Sequence, residues 1–368
     1  MSSTPPKYLQ IAQEMEARLV QGEWSEGRMP TVRDVAKRHQ VSIVTASRAL
    51  QVLRDQGHIR AVERSGSFII PNKKLQRAQR WGLCLRVTPN PWQEETKNII
   101  RHGFRHLQQS SSHQFREDLF TFSSETSSDK VVRQARALKK DGLRGIFLLP
   151  SRVSVEETVR DEWILQACRE VGLPVVLLER NLRGDNRPLE HDVVTSDDLT
   201  GGRVITEHLV RLGRRKIVFV TGSPCSSHRD RVAGYLQALH ESEQARQPQV
   251  IEQLSALPPK ESHRQLAEAV LEAEADGVVC YEDYTAVGLI VELFSRGISV
   301  PRDVAVAGFD DLPIGNVFTV GVTTYVMPSK AMAEEALRLM QARQSDPERV
   351  PVKVVLSGEL VIRESTKD

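Results

Sequence analysis

Ser42, Thr45, Ser47 and Arg48 fall within seven consecutive positions that also hold Ile43, and Ala46, Ala49, Leu50 and Leu53 follow at helical spacing. Hydroxyls and a guanidinium therefore share the first turns of one short helix. Such groups hydrogen-bond base edges and phosphates; they do not suggest covalent chemistry. Far along the chain, Glu179 ends the apolar run Pro174–Leu178, and Arg231, Glu282 and Asp310 also lie near apolar runs. A guanidinium or a carboxylate in such a place can make charge-assisted, often bidentate hydrogen bonds to a polar partner.

The patterns of enzymes on α/β folds are absent. There is no GxGxxG after the first strand of the body, and no GxxxxGK[ST], GxSxG or HExxH. The ten histidines show no metal-ligand spacing, and His113, His191, His228 and His263 read as solvated. Cys84, Cys168, Cys225 and Cys280 form no CxxC pair and read as buried small residues of a reducing cytosol. We therefore expect no catalytic residue, no metal and no cofactor. No run approaches the roughly 18 apolar residues of a membrane span. The start, Met1–Pro6, lacks the basic patch and apolar run of an export signal. A cytoplasmic protein without a membrane partner is expected.

The elements that must position these residues divide at a change of charge. Residues 1–80 hold 14 Lys and Arg against 7 Asp and Glu, a net +7, and the remainder is −5. A basic head on a slightly acidic body fits a chain in which only the head meets phosphates. Lys7 to Gln21 has one apolar helical face. Thr31 can cap a second helix with Asp34 in its first turn, and Ser42 a third helix running to about Asp55. His39-Gln40-Val41 forms the turn between them. Strand-like runs at His58–Val62 and Ser67–Ile70 flank Glu63–Gly66, so a hairpin follows the third helix. Together these make a winged helix-turn-helix.

Residues 7–70 resemble the winged-helix domain of the GntR family of bacterial regulators. The matching runs are Pro30-Thr31-Val32-Arg33-Asp34-Val35-Ala36, Val41-Ser42, Thr45, Arg48-Ala49-Leu50, Leu53, Gly57-His58-Ile59 and Gly66-Ser67-Phe68-Ile69. The resemblance implies that the third helix enters the major groove of operator DNA. Ser42, Ile43, Thr45 and Ser47 then lie near base edges, and Arg48 and Arg33 reach phosphate or a guanine edge. Arg64, Ser65 and Gly66 form the wing tip, with Arg64 directed to the minor groove. Two positions depart from the family: Ile43 and Ser47 stand where Arg is common. Contact with a thymine methyl is one use of Ile43, and burial in the core is the other. A surface ion pair with Asp34 or another carboxylate is the alternative use of Arg33.

From Trp81 strands and helices alternate, as in a parallel sheet covered on both faces. Strands are expected at Gly82–Val87, Leu119–Phe122, Gly145–Leu149 and Pro174–Leu178, with helices near 94–109, 129–140 and 161–171. The pattern begins again from 198, with strands at Lys216–Thr221, 249–253, Gly277–Cys280 and Val304–Ala307. Residues 192–328 resemble the effector domain of LacI/GalR-type regulators, through Asp192–Gly202, Glu207-His208-Leu209, Arg231-Val232-Ala233-Gly234-Tyr235, Asp283 with Ala286-Val287-Gly288, Val300–Asp311 and Val322-Thr323-Thr324. Residues 82–180 match more loosely, through Asn90-Pro91-Trp92.

The fold these resemblances imply is α/β: a two-lobed, periplasmic-binding-protein-like parallel-sheet domain with an N-terminal winged helix-turn-helix. Its divisions are 1–71 (head), 72–80 (linker) and 81–368 (body). Lobe 1 covers about 81–192 and lobe 2 about 193–323, with a C-terminal segment crossing between them. The resemblance implies that Arg231 and Asp310 bind hydroxyls of a small effector, a sugar, in the interlobe cleft. Glu179 is a third contact, Trp92 a stacking surface, and Glu282 a departure where many members carry Asn. The alternatives are an Arg231–Asp310 or Arg231–Glu179 ion pair holding the lobes, Trp92 as plain core and Glu282 as a solvated residue. The function implied is a ligand-responsive transcriptional regulator, a repressor, that binds a palindromic operator as a homodimer. The alternative is a sugar-binding protein or sugar-modifying enzyme without DNA regulation.

Overall fold

A computed structural model describes residues 6–20, 29–55, 59–62, 66–69, 79–86, 92–111, 113–117, 119–123, 125–151, 155–182, 188–222, 225–242, 247–253, 257–317 and 319–367. The chain separates into two compact units, Met1–Gln79 and Arg80–Asp368.

The first unit contains helices α1 (Lys7–Val20), α2 (Val32–Arg38) and α3 (Ile43–Asp55), then the antiparallel strands β1 (Ile59–Val62) and β2 (Gly66–Ile69). Thr31 and Asp34 close a reciprocal capping box at the start of α2. Gln40, at φ +51°, turns the chain from α2 into α3, and the Val41 amide returns to the Ala36 carbonyl at 3.0 Å. Ile11 and Met15 of α1, Val35 of α2, Ala46, Leu50 and Leu53 of α3, and Ile59 of β1 close one core. That core fixes which face of α3 stays outside.

The second unit holds two six-stranded sheets. In the first sheet the order is β13 (Lys353–Leu356), β7 (Asp192–Ser196), β6 (Val175–Leu178), β5 (Leu143–Leu149), β3 (Arg80–Leu85) and β4 (Gln114–Arg116), and all pairings are parallel. Helices α4 (Trp92–Ser110) and α12 (Ser329–Ser345) cover one face, and α5 (Ser128–Lys140) and α6 (Val155–Val171) the other. The second sheet orders β14 (Glu359–Val361), β12 (Thr323–Val326), β11 (Ala305–Phe309), β10 (Gly277–Cys280), β8 (Ile217–Thr221) and β9 (Gln249–Glu252). There α9 (Pro259–Glu272) and α10 (Asp283–Ser295) face α7 (Asp198–Arg211) and α8 (Ser226–His240) across the sheet. The short α11 (Pro313–Val317) follows β11. Central strands buried on both faces read as unbroken apolar runs, such as Val175–Leu178 and Gly277–Cys280.

The expected strand at Leu119–Phe122 does not form. The edge of the first sheet is taken by Gln114–Arg116, which pairs with Arg80–Gly82. Leu119 instead packs from an irregular segment onto the sheet face over Gly82, where a Cβ would come within 2.5 Å of it. The apolar run marked burial, not a backbone ladder. Three elements beyond those expected, β7, α12 and β13, complete the first lobe, and β12 and β14 complete the second. The C-terminal chain thus contributes β13 to one sheet and β14 to the other. No described helix is long and apolar enough to cross a membrane.

Candidate functional sites

Parallel strands place all their carboxyl ends on one side of each sheet, where the following loops collect polar groups. In the second lobe that collection centres on Arg231, in the second turn of α8 and only 2% exposed. Its Nε donates to Asp198 at 2.7 Å and its Nη2 to Asp310 at 3.0 Å, while Nη1 donates to the Tyr281 carbonyl. The guanidinium also lies 4.2 Å from the centre of the Phe309 ring. Burial opposes the Arg231 charge, but Asp198 and Asp310 outweigh it and hold the guanidinium more firmly protonated than usual. Burial pushes the Asp198 carboxyl up to about 6, against the pull of Arg231. Asp283, at the start of α10, is driven well above the usual carboxylate range by burial while it accepts from the Leu312 amide at 2.8 Å.

Glu179 ends β6 on the facing lobe with φ +64° and is buried. It pairs with the adjacent Arg180, not with Arg231, and approaches the second lobe through the Ser227 hydroxyl at 3.4 Å. Asp310 and Asp311 also sit at positive φ, +89° and +51°. Backbone strain of this kind, of order 1–3 kcal/mol per residue, gathers where a fold must aim side chains. Glu282 precedes α10 from an extended backbone and is buried, not solvated. Trp92 opens α4, and its side chain lies outside the described residues.

The structure thus brings Arg231 and Asp310 into direct contact, and places Glu179 just after β6 of the first sheet and Glu282 just after β10 of the second. Sequence reasoning missed Asp198, although it lies within the Asp192–Gly202 run. It also missed Arg86, which follows β3 and engages Glu157 and Asp161 while lying 4.2 Å over Phe122. Burial pushes Asp161 up to about 7, against Arg86. The signal available for Arg86 was its place directly after an apolar strand. Two of the histidines expected in solvent are buried: the His113 ring accepts from Trp81 Nε1 at 3.0 Å, and His228 lies 4.7 Å from the Tyr281 ring. Polar neighbours in sequence did not reveal these aromatic partners. Among the described residues no group of three His, Cys, Asp or Glu could hold a metal.

In the head, Ser42 caps α3 by accepting from the Thr45 amide at 3.1 Å, and its hydroxyl meets the Thr45 hydroxyl at 2.9 Å. Ile43 is 53% exposed and does not join the core, and Val44 beside it is also exposed. Ser47 and Arg48 are exposed one turn on, and Thr45 is half-buried. Arg33 is exposed on α2, while the Asp34 carboxylate turns to the Thr31 amide and hydroxyl, which hold it below its usual range. Gly66 opens β2 at φ +102°, a conformation that favours glycine. Arg64 and Ser65 lie outside the described residues, as does most of the expected linker. The arrangement offers an exposed helix start carrying hydroxyls, an aliphatic side chain and a cation, the set that reads a major groove.

Residues 7–69 match the gntR family of bacterial regulatory proteins, and residues 206–366 match the periplasmic binding protein-like domain. The arabinose metabolism transcriptional repressor of Geobacillus stearothermophilus is 25% identical over 99% of this chain and 99% of its own. The HTH-type transcriptional regulator RegA of Clostridium saccharobutylicum is 27% identical over 91% of this chain and 99% of its own. These relatives are regulators, not enzymes. Among solved structures, the transcription regulator CcpA of Lactococcus lactis superposes with a TM-score of 0.61 at 23% identity, covering 79% of this chain and all of that one. A CelR–cellobiose complex gives 0.61 at 21% identity, covering 98% of this chain and 100% of that chain. A ribose-bound LacI family regulator from Enterococcus faecium gives 0.59 at 21% identity, over 78% and 98% of the two chains. These likenesses show a shared fold.

Proposed function

We propose, from a chain that is a bacterial transcriptional regulator by its gntR-family head and periplasmic-binding-protein-like body, that it represses transcription in the cytoplasm under control of a sugar. The observation that carries the effector site is Arg231 held between Asp198 and Asp310 at the strand ends of one lobe, with Glu179 of the other lobe accepting from Ser227 in the same helix as Arg231. A guanidinium and carboxylates fixed in advance present acceptors and donors to a ring of hydroxyls without reorganising. The arabinose, ribose and cellobiose in the names of relatives and neighbours agree with that chemistry.

In this reading Ser42, Ile43, Thr45, Ser47 and Arg48 meet the major groove, Arg33 meets phosphate, and the wing tip at Arg64, Ser65 and Gly66 meets the minor groove. Trp92 and Glu282 complete the effector cleft. The protein acts as a homodimer on a palindromic operator with half-sites about one helical turn, or a multiple of it, apart. The effector binds one arrangement of the two heads better than the other, since only a differential affinity can shift their equilibrium. The test is binding of the intact protein to a labelled genomic duplex from beside its own gene, at two salt concentrations, with and without L-arabinose, D-ribose and cellobiose. A sequence-specific complex that weakens steeply as salt rises and responds to one sugar supports the reading. Binding no tighter than to random competitor, with or without sugar, overturns it.

A further inference from the structure

Asp310 stands on a strained stretch of chain, and the structure shows what holds it. Asp310 and Asp311 are consecutive non-glycine residues in the left-handed region, at φ +89° and +51°. Neither lies in a helix or strand. The Asp310 amide donates to the Tyr325 carbonyl at 2.9 Å, and the Asp311 amide to the Thr324 hydroxyl at 3.2 Å. The Asp311 carboxylate then receives Arg363 Nη2 at 2.7 Å and the Asn316 side-chain amide at 3.2 Å.

Arg363 comes from the C-terminal stretch after β14, forty residues past Thr323, and is itself fixed. Its Nη1 donates to the Val322 carbonyl at 2.8 Å and its amide to the Thr323 hydroxyl at 2.8 Å. Ser365 donates to the Val306 carbonyl and accepts from the Thr323 amide at 2.8 Å. Thr366 bonds the Thr323 hydroxyl at 2.7 Å and His208 Nε2 at 2.8 Å. The last described residues are therefore clamped beneath β11 and β12, and their one guanidinium reaches up to the residue beside Asp310.

We propose that Arg363 is a positioning residue for the effector site. It acts through Asp311 to keep Asp310 at the orientation in which it meets Arg231 and the effector. This rests on the assignment of Asp310 to the effector site. Arg363 touches neither Asp310 nor Arg231 in any recorded bond; its effect passes through the Asp311 carboxylate and the strained backbone. A charge-assisted hydrogen bond to a half-buried carboxylate is strong enough to hold such a conformation, and its loss frees two residues that have reason to relax.

The test uses the full chain with Arg363→Gln, Arg363→Lys, Asp311→Asn and the double variant Arg363→Gln/Asp311→Asn. The first readout needs no effector: hydrogen exchange at the Asp310 and Asp311 amides. About tenfold faster exchange is expected in Arg363→Gln, with a similar change in Asp311→Asn, no further change in the double variant, and partial rescue by Arg363→Lys. The second readout is the concentration of L-arabinose, D-ribose or cellobiose, whichever releases the wild type from DNA, with Asp310→Ala as control. It should rise about tenfold in Arg363→Gln while DNA affinity without sugar holds. Unchanged exchange at both amides, or faster exchange spread across β12 and β14, overturns the proposal, and so does full additivity in the double variant. An Asp310→Ala protein that still responds at wild-type concentrations instead removes Asp310 from the effector site. Should Arg363→Gln fail to fold, Asp311→Asn and Arg363→Lys carry the same comparison.

Discussion

Replacing Arg231 with Met should expose how the cleft holds its charges. The side chain is 2% exposed and satisfies Asp198, Asp310 and the Tyr281 carbonyl together. Met has similar reach and no donor, so two buried carboxylates lose their cation. Removing one partner of a buried ion pair costs about 3–5 kcal/mol, because the other charge is left uncompensated. We expect a loss of that size at pH 8. It should shrink in acid, for a reason that fixes its sign. The Asp198 carboxyl is already raised to about 6 with Arg231 present, above its value in the unfolded chain. Folding therefore takes up a proton between those two values, and stability falls as pH rises through the folded one. Without Arg231 the folded value climbs further. Each additional unit narrows the gap between variant and wild type by about 1.4 kcal/mol once Asp198 is protonated. Urea denaturation of both proteins at pH 8, 7, 6 and 5, followed by tryptophan fluorescence, measures the gap. A difference below about 1 kcal/mol at pH 8, or one that stays constant down to pH 5, would refute the burial and pairing argued for this cluster.

Other expectations are simpler to check. Asp310→Ala should abolish the sugar response in a DNA-release assay and leave operator binding intact. Arg48→Ala, at an exposed position on α3, should weaken operator binding by about 1–3 kcal/mol in a gel shift. Thr31→Ala removes the hydroxyl half of the α2 capping box, leaving the backbone amide of residue 31 on the Asp34 carboxylate, and should cost about 1 kcal/mol in the unfolding of the head. In Gly234→Ala the new Cβ would stand 2.0 Å from the Leu199 carbonyl oxygen, so α7 and α8 must part; denaturation should show a loss of about 1–3 kcal/mol or more.

The amino-acid sequence by itself determined much of this. Period and capping chemistry gave the head, because Thr31, Asp34 and Ser42 act within three or four residues of themselves. Apolar runs gave the central strands, because parallel strands covered on both faces must be apolar throughout. Arg231 and Asp310 stood out through the family-like runs around them, with an ion pair to Asp310 or to Glu179 left open, and the structure shows the pair with Asp310. Only the tertiary structure decided which groups meet. Asp198 and Asp310 converge on Arg231 from 33 and 79 residues away, distances at which no periodicity speaks. Leu119–Phe122 carried the composition of a strand, yet the sheet edge went to Gln114–Arg116, since a ladder needs backbone register and an apolar side chain needs only a surface to cover. His113 and His228 were buried by Trp81 and Tyr281, partners set by the packing of separate elements. Short-range bonds are written in neighbouring residues. Burial and long-range pairing exist only once the sheets have assembled.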